Sequence, residues 1–142
     1  MSSNMNLNSE LNYKQFYKEL GHLLYAIAYS DGKIRKKEVE AIREFVLKQL
    51  APFEPSSDSS GMNQAFYTQF EFEDIADKNE DATIVFSSFM GYLKKNASYI
   101  NEHLKSSMIQ AVEKVAQAYK KTNKQEQEMI DKLKEEIASL QS

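Results

Sequence analysis

Asp31, Gly32, Ile34 and Glu38 stand at the spacing of positions 5, 6, 8 and 12 of an EF-hand calcium loop. In that loop a glycine makes the sharp turn and the final glutamate offers two oxygens to the ion. The front half is missing, because positions 1 and 3 fall on Ile27 and Tyr29, whose side chains carry no carboxylate. Further on, Asp77, Asn79 and Asp81 match positions 1, 3 and 5 and Ile84 matches position 8, but Ala82 and Ser88 stand where glycine and glutamate are needed. Neither segment is a standard EF-hand. His22 and His103 are single histidines on separate segments, without the i+3 or i+4 partner a helical zinc site would use. There is no Ser-His-Asp order, no HExxH helix and no glycine-rich phosphate loop, since glycine occurs only at 21, 32, 61 and 91. The sequence therefore predicts no catalytic residues.

Charge is the next resource. Lys33, Arg35, Lys36 and Lys37 crowd one turn, and Glu71, Glu73, Asp74, Asp77, Glu80 and Asp81 crowd another segment. Runs of this kind are ordinarily solvated faces. With a net charge of -3, the chain as a whole has no long-range attraction for nucleic acid or an anionic membrane. The N-terminus lacks a basic region followed by an apolar one, and no later run is long and apolar enough to span a bilayer. Cysteine is absent, which excludes a disulfide framework and fits a cytoplasmic protein.

A chain of 142 residues, 42% of them apolar, is expected to form one domain with its own core. Phe16, Leu20, Leu23, Leu24 and Ile27 keep helical spacing, and Val39, Ile42, Phe45, Val46 and Leu50 repeat it before Pro52. Gly32 between them suits a left-handed turn, so a helix hairpin is expected. Residues 1 to 12 read as a flexible N-terminus and 52 to 61, with both prolines and four serines, as a mobile loop. In Met62 to Ile75, Phe66 and Phe70 keep helical spacing while Phe70-Glu71-Phe72-Glu73 alternates like a strand, so only one or two helical turns are expected. The broad stripe of Val85, Phe86, Phe89, Met90, Tyr92 and Leu93 predicts a central helix from Asp81 to Lys95. Asn96 to Ile100 breaks it. Leu104, Met108, Val112, Val115 and Tyr119 predict the next helix, and Met129, Ile130, Leu133, Ile137 and Leu140 the last, with Asn123 and Glu126 as N-cap and N3 residues.

The first hairpin slides onto the last without a gap. Phe16, Leu20, Leu24, Ile27 and Ala28 fall on Leu104, Met108, Val112, Val115 and Ala116, and Lys36, Glu38, Glu40 and Ile42 fall on Lys124, Glu126, Glu128 and Ile130. The expected fold is thus all-α, about six or seven helices, with two pseudo-repeated hairpins packed around the Asp81 to Lys95 helix.

The run Ala28-Tyr29-Ser30-Asp31-Gly32-Lys33-Ile34-Arg35-Lys36-Lys37-Glu38, with Val39-Glu40-Ala41-Ile42 after it, resembles the tellurite-resistance TerB-like family of small bacterial helical domains. The resemblance implies a pseudo-duplicated helical fold and a role in bacterial stress response. It also implies divalent-metal binding near this turn, here through Asp31 and Glu38. Two features of the residues oppose that use: four nearby cations repel a metal ion, and Asp31 and Glu38 can serve the turn and the helix cap instead. The chain also departs from the family where Tyr119 and Lys120 stand at the second-copy positions of Asp31 and Gly32, and where Arg35 occupies an N-cap position. The leading expectation is a non-catalytic module that docks a protein partner. Lys33, Arg35, Lys36 and Lys37 with Lys120, Lys121 and Lys124 would form its basic surface, opposed by the acidic Glu71 to Asp81 segment. The competing expectation is a divalent-ion sensor built on Asp31 and Glu38.

Overall fold

The computed structural model describes residues 11–30, 32–54, 63–118 and 124–140. Among the described residues there are six α-helices: α1 Tyr13–Ala28, α2 Lys36–Phe45, α3 Tyr67–Lys78, α4 Ala82–Lys95, α5 Glu102–Gln117 and α6 Lys124–Ser139. No strand element occurs among the described residues, and no helix among them is long and apolar enough to cross a membrane.

Local chemistry sets the helix ends. Asn12, Asp81 and Asn101 cap α1, α4 and α5, each side chain accepting backbone N–H groups that have no partner within the helix. After α2 the chain widens into one π turn, Val46–Leu50, in which the Ala51 N–H reaches Val46 O. Pro52 has no N–H to continue the ladder, and the chain tightens into a 3-10 turn at Ala51–Phe53. Asn79 closes α3 in the left-handed conformation, with φ 52°.

The centre of the molecule is α1. Its apolar stripe of Phe16, Leu20, Leu23, Leu24 and Ile27 is joined by Tyr25, Ala26 and Ala28, so the second half of the helix is buried except at His22. It packs against α3, α4, α5 and α6. The expected central position of the Asp81 to Lys95 helix is therefore corrected. That helix is α4, which buries only Val85, Phe86, Phe89 and Leu93 and leaves Ile84 70% exposed. The short Met62 to Ile75 expectation is corrected as well, because α3 runs twelve residues after a 3-10 turn at Gln64–Phe66. Its buried face is Thr68, Phe72 and Ile75, so a polar residue opens the stripe and Phe70 lies outside it.

The residues aligned by the sequence repeat share helix starts and burial, although α6 packs on α5 and α2 does not pack comparably on α1. Lys36 and Lys124 are the first residues of α2 and α6, and the paired positions Phe16/Leu104, Leu20/Met108, Leu24/Val112, Glu38/Glu126 and Ile42/Ile130 are all buried. The caps Asn12 and Asn101 are one residue out of that register. In three dimensions the copies interlock: α2 packs on α5, and α6 packs on α1 as well as on α5 and α4. The segment between them, α3 and α4, has no counterpart in the repeat.

The expected mobile loop is tied at its first residues. Tyr17 donates to the buried Glu54 carboxylate at 2.5 Å, and the Asn63 amide donates to Ala51 O at 2.8 Å and Glu54 O at 3.2 Å. Residues 55–61, like 1–10, lie outside the described residues.

Candidate functional site

At the turn between α1 and α2, Gly32 adopts φ +85°, a conformation that side-chain-bearing residues avoid, and its N–H donates to Tyr29 O at 2.8 Å. Arg35 then takes an extended N-cap conformation, φ -99° and ψ 151°. Glu38 is fully buried, and its Oε1 accepts the Arg35 backbone N–H at 2.8 Å with the guanidinium 4.0 Å away. A guanidinium has no acceptor atom, so only the glutamate half of a capping box forms here. Glu126, at the same N3 position of α6, is also buried. Asp31, Asn123, Tyr119, Lys120 and Lys121 lie outside the described residues. Of the expected basic surface, Lys33, Lys36, Lys37 and Lys124 are exposed and Arg35 is half-buried.

The acidic segment is not a single patch, because neighbouring carboxylates of α3 point at different partners. Glu71 reaches His22 Nε2 on α1 at 3.0 Å, Glu73 reaches Arg43 Nε on α2 at 3.0 Å, and Asp74 pairs with Lys78 one turn on at 3.0 Å. Asp81 accepts the N–H groups of Thr83 and Ile84 at 2.8 and 3.1 Å. Asp74, Asp77 and Glu80 are exposed, the last giving its backbone oxygen to the Tyr25 hydroxyl at 2.5 Å.

Three features were not read from the residues. His22 lies between two carboxylates, Glu71 at 3.0 Å and Glu19 at 4.0 Å, and joins α1 to α3; only the i, i+3 spacing of Glu19 and His22 signals this. Nearby on α4, the Tyr92 hydroxyl is buried, and burial, with Glu19 close by, pushes its ionisation well above the ordinary tyrosine range. The third is an open groove of about 580 Å³ between α4 and α6, floored by Phe86, Met90 and Met129 and edged by Lys94, Glu128 and Lys132. Among the described residues no group of three or more His, Asp or Glu side chains is gathered closely enough to hold a metal ion.

No family model matches the chain, and neither the curated proteins nor the solved structures return a match.

Proposed function

We propose that the chain is a non-catalytic interaction module that docks a protein partner through charged surface, of the TerB-like kind and acting in bacterial stress response. The observation that carries the docking reading is the disposition of exposed charge. Lys36, Lys37 and Lys124 stand at the starts of two helices equivalent in the repeat, whereas Asp74, Asp77 and Glu80 stand on α3 and the turn after it. Exposed charge so divided steers encounter and selects partners more than it adds affinity. The family part of the reading rests on the turn motif and the repeat.

The test is capture of binding proteins from a bacterial lysate by the full chain and by a Lys36→Glu, Lys124→Glu variant, at low and high salt. Capture that weakens with salt and is lost in the variant supports charged docking. A partner set insensitive to both changes overturns it. The ion-sensor alternative has a harder task, because bidentate ligation by Glu38 would take its Oε1 from the buried cap bond to the Arg35 N–H. It predicts a rise in melting temperature with calcium, magnesium, zinc or manganese that Asp31→Asn removes.

A further inference from the structure

We draw no further inference here: the strongest candidate, the side-chain cluster of His22, Glu19 and Glu71 where α1 crosses α3, carries nothing beyond the contact already described, because its histidine and carboxylates engage one another across the crossing and nothing in the structure points to a ligand there.

Discussion

Two helix pairs in this small bundle meet in opposite ways. Where α1 crosses α3, Gly21 lies so close to the facing helix that a Cβ would come within 2.5 Å of Thr68 O, and Thr68 Oγ1 donates to Tyr17 O at 2.9 Å. Where α4 faces α6, Gly91 looks into open space above two half-buried methionines. At the first crossing the glycine is explained inside the chain, and at the second it is not. A closed crossing holds the fold; an open one leaves helix surface exposed.

The largest effects should fall on the closed side. Phe72→Ala removes a fully buried ring from the α3 face on α1 and should cost about 3–5 kcal/mol, whereas Ile84→Ala beside the open cleft should cost about 0.5 kcal/mol or less. Urea unfolding of both variants checks the pair, and equal losses would break the comparison. Next comes Tyr17→Phe, which deprives the buried Glu54 carboxylate of its phenol donor. A loss of about 1–3 kcal/mol is expected, read as a lower urea midpoint.

A smaller effect is expected at high pH. Burial, with Tyr29 stacked alongside, pushes the Tyr25 phenol from 10.0 up to about 12. The unfolded phenol ionises first, so stability is fully present below pH 10 and declines as pH rises from 10 to 12. Thermal melts of Tyr25→Phe should lose less stability than the parent over that window. Parallel pH profiles would show that the phenol is not confined by α1 and the Glu80 carbonyl.

Much of the fold is legible in the residues, and the losses have particular causes. The helices α1, α2, α5 and α6 follow from the spacing of large apolar residues, and the starts of α2 and α6 follow from the Lys-x-Glu runs at Lys36 and Lys124. The extent of α3 does not, because its buried face begins with Thr68 and its conspicuous Phe70 is 44% exposed. The centrality of α1 is hidden because Ala26 and Ala28 complete its buried surface with small side chains that any helix can carry. For the opposite reason α4 reads as more buried than it is: Met90 and Tyr92 belong to its apolar stripe, yet both are only half-buried.

The site is less legible than the fold. His22 and Glu71 are brought together only by the α1/α3 crossing, and no local pattern announces a contact between residues so distant in sequence. Glu38 reads as a cap in preference to a metal ligand because four cations lie nearby in sequence, but its burial and its bond to the Arg35 N–H emerge only in the fold. Gly21 and Gly91 are identical letters inside apolar helical patterns. What separates them is the distance to the next helix.

That difference also gives the most direct measurement. Gly21→Ala and Gly91→Ala should be unfolded in urea side by side with the parent. With Thr68 O in the way, Gly21→Ala should lower stability by about 1–3 kcal/mol. Gly91→Ala meets nothing and gains helix propensity, so it should raise stability by about 0.5–1 kcal/mol. Midpoints that move in opposite directions are the result expected of one closed and one open helix pair, and a loss of stability in both variants would contradict it.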